Sequence, residues 1–402
     1  MNNSKLTTKN SKLNFLEFLS SFAHQKIAVI GDLILDKYIY GEVERISPEA
    51  PVPIVRVLKE KYVPGGAANV AANISTLGGD PFLFGTVGKD QYKDILMQKI
   101  AEMNIHTSGI VTDNNKITTR KTRVIGLNQQ LLRIDNENID YIETHQEEKF
   151  IDQLKNINDL SAILISDYAK GTITKQLISQ LIQFSQANNI PIIIDPKPKH
   201  QDWYTGSTLV TPNKKEAQEM CGIIIETEAD FIKAGELLVN KFNSNVIITA
   251  GAEGMYIFEK PSPLTPLPKG EGKERNIDRL VPLEKGESKG VYSDRLSEEL
   301  LQRHSTKSLS TPDSTQNLKL TTNNLAFTHI PTVAREVYDV SGAGDTVIAV
   351  LALALCCDAD LESAAILANQ AAGIKVSKIG TAPIFLEELL KEFQEKNVKC
   401  KM

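Results

Sequence analysis

Cysteine is scarce in this chain of 402 residues, which carries four: Cys221, Cys356, Cys357 and Cys400. No two have the spacing of a metal site, and adjacent Cys356 and Cys357 inside a helical run do not bridge. A disulfide framework is excluded, and reduced thiols fit a cytoplasmic protein. The six histidines form no metal-spaced set either. An excess of one charge is also missing. Forty-five basic residues stand against 50 acidic ones, interspersed, for a net charge of −5. That balance argues against nucleic acid or a membrane surface as partner. Long hydrophobic runs are absent as well. The longest, 347–357, is too short to cross a bilayer and reads as a buried core helix. The first twelve residues are polar and lack the apolar core of an export signal.

What is present is an apolar share of 41%, enough for a sizeable core. Short apolar runs at 26–31, 162–166, 190–195, 208–211 and 246–249 each end in polar, Gly or Pro residues, as buried parallel strands do. Helical stretches such as 174–187 and 228–242 separate them. This alternation predicts an α/β fold, a doubly wound and mostly parallel sheet whose ligands lie beyond the carboxyl ends of the strands. Two stretches, 52–57 and 117–134, alternate polar and apolar positions with no helix following directly. They suit a small antiparallel sheet whose polar side covers the active site as a lid. Residues 261–324 are rich in Pro, Gly, Lys, Glu, Ser and Thr, with little periodicity, and read as a long disordered insert. At a hairpin tip such an insert costs little, because loop-closure entropy grows slowly with length.

The chemistry concentrates in Asp339-Val340-Ser341-Gly342-Ala343-Gly344-Asp345-Thr346, a glycine turn that feeds an apolar helix. N–H groups in a first helical turn lack intrahelical partners, and the helix dipole adds partial positive charge. Gly342 and Gly344 let that backbone approach a phosphate, and Asp345 sets a carboxylate beside the anion hole. Such a carboxylate can accept the proton of an attacking hydroxyl while the N–H groups hold a transferring phosphoryl group. A capping Asp at a helix start is the plainer alternative. The turn is not a Walker loop, because no Gly-Lys-Ser/Thr follows.

Two further segments extend the pattern: small residues opening into a helix at 65–79, beginning Gly65-Gly66-Ala67-Ala68-Asn69, and Thr211-Pro212-Asn213-Lys214-Lys215-Glu216. In this order the three segments resemble the two signatures and the Asn-x-x-Glu motif of the ribokinase-like (phosphofructokinase-B) sugar kinases. The likeness covers roughly 26–259 and 328–390. It implies a kinase domain over 21–390 between terminal tails 1–20 and 391–402, with the lid drawn from about 37–62 and 108–135. ATP and Mg²⁺ are the implied cofactors, a monovalent cation is left open, and a homodimer is the expected assembly.

Around the lid the segments 45–53, 119–124, 128–135 and 166–171 look like those of bacterial D-glycero-β-D-manno-heptose-7-phosphate kinases. That likeness implies phosphorylation at C1 to heptose 1,7-bisphosphate, toward lipopolysaccharide. Many such kinases carry a nucleotidyltransferase domain with a His-x-Gly-His motif, which this sequence lacks, so it resembles the stand-alone form. By resemblance Asp345, with the N–H groups of Gly342, Ala343 and Gly344, is catalytic. Asp32, Asp36, Gly65, Gly66 and Asn69 take the sugar, and Arg123, Arg133 and Lys170 suit its 7-phosphate. Arg120 and Lys121 belong to the same cationic cluster. On the nucleotide side stand Asn213, Lys214, Lys215, Glu216, Lys197, Thr249, Gly251, Gly254, Asn369 and Gly373, with Glu216 reaching Mg²⁺ through water. A kinase for another sugar and a binding protein that lost catalysis remain alternatives.

Overall fold

In the computed structural model the described residues are 15–261, without 128, and 319–399, without 323–324, 335–336 and 379–382. Most of the stretch read as a disordered insert lies outside them. Lys319–Thr322 does not: it forms an edge strand, so the insert is shorter than its composition implies.

The main sheet is built from β1 (Lys26–Gly31), β4 (Asp80–Gly88), β5 (His106–Asp113), β8 (Leu160–Ser166), β9 (Ile192–Asp195), β10 (Leu209–Val210), β11 (Asn245–Thr249), β12 (Met255–Glu259), β13 (Lys319–Thr322) and β14 (Leu325–Ile330). Its order is β13-β14-β12-β11-β10-β9-β8-β1-β4-β5. Pairing is parallel from β5 through to β11 and antiparallel beyond it, giving the mostly parallel α/β sheet expected. The alternation in β1 shows why both faces must be covered: Ile27 and Val29 enter one apolar cluster, Ala28 and Ile30 the other. The first cluster holds α2 (Ala67–Thr76), α3 (Gln91–Ala101), α8 (Ala343–Cys356) and α9 (Leu361–Val376). The second holds α4 (Thr144–Lys155), α5 (Lys175–Asn188), α6 (Lys214–Cys221) and α7 (Glu228–Phe242). Helix α8 is apolar all round because it is buried all round, from Asp345 to Ala354. No described helix is long and apolar enough to cross a membrane.

A separate sheet, ordered β3-β2-β6-β7, consists of β2 (Leu33–Ile46), β3 (Pro53–Gly66), β6 (Arg120–Gly126) and β7 (Gln129–Asn136). The antiparallel lid expected from sequence is in fact mixed, since β2 pairs with β6 in parallel. β2 also begins one residue after Asp32, so Asp36 is a strand residue and not part of a loop. Residues 108–113, placed in the lid from sequence, belong to β5 of the main sheet. At the other end α10 (Leu386–Lys399) runs through the stretch read as a tail.

Gly31 closes β1 where it meets β8. A Cβ there would lie 2.1 Å from the Ser166 carbonyl oxygen, a backbone atom that cannot swing away. Gly31→Ala should therefore lower stability by at least about 1–3 kcal/mol, the usual cost of forced overpacking. Urea unfolding measures it; an unchanged midpoint would show that the two strands can part at this point.

Candidate active site

The site is assembled where β1, β8, β9 and β11 end. Asp32, 1% exposed, follows β1 and accepts three backbone N–H groups: Tyr168 at 2.9 Å, Lys170 at 3.0 Å and Thr172 at 3.0 Å. Burial raises its carboxyl above the ordinary range, and these bonds pull it back. Asp32 thus clasps the loop after β8, with both oxygens engaged. Asp167 holds the same loop from behind. It accepts the N–H of Ala169 at 2.7 Å and the hydroxyl of Tyr204 at 2.9 Å, and His200 Nδ1 lies 2.6 Å away. Ala169 is left-handed, with φ of 53°, so that turn needs this support.

The clasp aims Tyr168 at Asp345. Asp345 sits in the first turn of α8, whose N-cap Gly342 has φ of 77°, a conformation suited to glycine. Its carboxylate accepts the Tyr168 hydroxyl at 2.8 Å and Asn69 Nδ2 at 2.6 Å. Burial raises the Asp345 carboxyl, and the bonds from Asn69 and Tyr168 counter that rise. Asn69 stands on α2, whose N-cap Gly66 has φ of 57° and packs on the Asp32 carbonyl. Of the three N–H groups expected to cradle a phosphoryl group, that of Ala343 is taken by the Val340 carbonyl at 3.2 Å. Gly342 and Gly344 line the cleft, and a Cβ on Gly344 would meet nothing within 4 Å.

That cleft, of about 140 Å³, runs from Asp345 and Tyr168 past Asp195, Lys197, Asn213 and Glu216 to Thr249. Asn213 and Glu216 form a reciprocal capping box at α6, so the capping role is real and coexists with a place in the cleft. Lys197 pairs with Glu216. Burial, then the charge of Glu216, raises the Asp195 carboxyl well above its usual range. Other expected nucleotide residues lie off the cleft. Lys214 pairs with Glu253 at 2.6 Å and Lys215 is exposed. Gly254, φ 92°, permits contact with the Ile330 carbonyl, and Gly251 turns the chain before β12. Asn369 donates to the Pro331 carbonyl at 2.7 Å, and Gly373 faces Val333.

Toward the lid, Asp36 and Arg123 form a largely buried ion pair. Gly65 makes room for it, since a Cβ there would lie 2.4 Å from Asp36 Oδ2. Lys170 pairs with Glu137 at 2.8 Å and borders a small cavity with Asp32 and Lys116. Arg133, opposite Arg123 in the register, is half exposed and forked onto Asp135 at 2.9 and 3.0 Å. The cation that sequence reasoning undervalued is Lys121. It lies 5.0 Å over the Tyr168 ring and makes no ion pair among the described residues. Burial lowers its pKa, against the pull of Asp36. Tyr168 was missed too, although its position two residues beyond a strand end was the available signal.

A buried carboxylate beside a helix N-terminus, at the mouth of a parallel sheet with a lid, is an arrangement suited to phosphoryl transfer. The chain belongs to the pfkB family of carbohydrate kinases, which residues 24–272 and 320–388 match. It is 37% identical over 376 residues to the bifunctional protein HldE of Geobacter metallireducens, covering 92% of this chain and 64% of that one. For the HldE of Aliarcobacter butzleri the figures are 37% over 365 residues, 90% and 63%. The chain thus spans less than two thirds of the length of these relatives. The fold is shared with Arabidopsis thaliana ribokinase complexed with ribose and ATP, at TM-score 0.60 and 16% identity, covering 92% of this chain and 98% of that one. It is shared likewise with Escherichia coli phosphofructokinase-2 in complex with potassium, at 0.62 and 17%, covering 92% and 97%.

Asp345→Asn keeps size and hydrogen bonding but cannot take a proton, so kcat should fall roughly 10²–10⁴-fold with both substrates still bound. Tyr168→Phe removes a bond that lowers the Asp345 pKa. With Asp345 as a base that works ionised, the acidic limb of kcat/KM should move to higher pH. A folded Asn variant with normal kcat, or a Phe variant with an unmoved limb, would reduce Asp345 to a helix residue.

Proposed function

We propose that this chain transfers the γ-phosphoryl group of ATP to the C1 hydroxyl of D-glycero-β-D-manno-heptose 7-phosphate. The product is heptose 1,7-bisphosphate, a precursor of nucleotide-activated heptose for lipopolysaccharide. The observation that carries the reading is Asp345, buried between Asn69 and Tyr168 and one turn from Gly342. Asp345 takes the hydroxyl proton as the C1 oxygen bonds to the γ-phosphorus. The bond to the β–γ bridging oxygen breaks and ADP leaves with that electron pair. The N–H groups of Gly342 and Gly344 stabilise the charge on the transferring group. Mg²⁺, when bound, neutralises phosphate charge. Asp195 and Glu216 are the cleft carboxylates suited to it, acting through water because Mg²⁺ retains several waters.

The heptose phosphate is supported by the sequence resemblance, by the likeness to HldE proteins, and by Lys121, Arg123 and Lys170 on the sugar side. The decisive experiment is ATP consumption against heptose 7-phosphate, fructose 1-phosphate, fructose 6-phosphate, ribose and adenosine. The heptose phosphate should give the highest kcat/KM, and preference for another sugar replaces this substrate. Lys121→Ala should raise KM for the sugar phosphate roughly tenfold, as loss of a charge-assisted hydrogen bond does, with KM for ATP little changed. Lys121 is the sharper probe, because removing Arg123 would strand the buried Asp36.

We further propose a cytoplasmic homodimer joined through the lid sheet. That sheet exposes Ile46, Val57, Leu58, Leu127 and Leu132, each at least half exposed, a grouping expected of an interaction surface. Light scattering should give twice the chain mass, and Leu58→Asp with Leu132→Asp should give monomer. A monomeric parent chain refutes it.

A further inference from the structure

Lys375 lies in the last turn of α9 and is 0% exposed. A lysine at a helix C-terminus is ordinary, because the dipole favours it there, but such lysines keep their ammonium in water. Burying an ammonium is expensive and persists only where opposite charge compensates it. The surroundings are the turn that leads into α8. The Val376 carbonyl, next in the chain, accepts the N–H groups of Tyr338 at 2.8 Å and Asp339 at 3.2 Å. The Asp339 carboxylate in turn accepts the Ser341 N–H at 2.8 Å, and Gly342 follows as N-cap. The charges that act on Lys375 are Asp339 and Asp345 from the turn and α8, Lys378 from just beyond its own helix, and Lys61 from β3. The end of α9 therefore carries both the backbone anchor and the buried cation of the phosphoryl cradle.

We propose that Lys375 is a positioning residue for phosphoryl transfer, a built-in monovalent cation that holds the 338–344 turn through Asp339 and so fixes the Gly342 and Gly344 N–H groups. The question of a monovalent cation, left open by the sequence, then takes another form: the chain supplies that charge itself, and turnover is indifferent to potassium. Burial pushes the ammonium down to about 8, with Asp339 the largest opposing charge. The hold is present below that pH and is lost above it, as the lysine gives up its proton.

The proposal rests on this cleft being the phosphoryl-transfer site, so one readout is chosen that needs no turnover. Amide hydrogen exchange of segment 338–344 should be slow in the native protein, faster in Lys375→Met, and slowed again by ammonium chloride. With the sugar that the substrate panel selects, Lys375→Met should lose roughly tenfold or more in kcat, KM for ATP staying near normal, as expected when preorganised donors are displaced. Ammonium should restore it. The native enzyme should give equal rates in potassium and tetramethylammonium chlorides, and its kcat should fall as pH rises through about 8. That limb should be missing from the variant. Potassium-stimulated turnover of the native enzyme overturns the proposal, whatever the variant does. So does a folded variant with unchanged exchange, kcat and pH profile, or one whose losses ammonium does not repair. If no sugar is turned over, the substrate reading fails while the exchange result still decides the role of Lys375.

Discussion

A carboxylate taken out of water must be met by hydrogen-bond donors, and in this protein that requirement orders the active site. Asp32 is the case on which the rest depends. Its position at the end of a central strand removes it from solvent, and the N–H groups of Tyr168, Lys170 and Thr172 satisfy it. Satisfying Asp32 folds the loop after β8 over the end of β1. That placement sends Tyr168 to Asp345, which is itself buried and needs two donors. Two buried acids, one clasping a loop and one held by what the loop presents, make a single mechanical unit.

The parts of this arrangement that follow from local pattern were legible in the sequence. The short apolar runs at 26–31 and 246–249, the helix at 228–242 and the buried apolar helix after Gly342 appear where the pattern puts them. Long-range choices were not legible. Whether Asp32 faces a sugar hydroxyl or three backbone N–H groups depends on where residues 168–172 fold, and no neighbouring residue encodes that. The parallel pairing of β2 with β6 joins strands far apart in sequence and is likewise invisible to periodicity. The cations fared alike: four basic side chains between 120 and 133 look equivalent in sequence. Only packing separates Arg123, on a buried carboxylate, from Arg133, half in solvent, and from Lys121 over Tyr168.

The two ends of the cleft use buried charge differently. Beside Asp345 the acid is hydrogen-bonded by the neutral donors Asn69 and Tyr168, whose pull on its carboxyl exceeds that of the Lys121 charge. Around Asp195 and Glu216 the ammonium of Lys197 pairs with Glu216, while burial and the charge of Glu216 hold the Asp195 carboxyl toward its neutral form.

The same economy governs the cations of this chain of net charge −5. Its cations near the cleft are paired with its own acids: Arg123 with Asp36, Lys170 with Glu137, Lys197 with Glu216. A phosphate bound by these groups would exchange one carboxylate partner for another and would not have to strip water from a free ammonium, a costlier step. Exchange of this kind favours discrimination over raw affinity, because a ligand gains only if its oxygens match the geometry that the displaced carboxylate already satisfied. Lys121 stands outside that scheme. Its charge is turned toward Tyr168 and it makes no ion pair among the described residues, although Asp36 still attracts it.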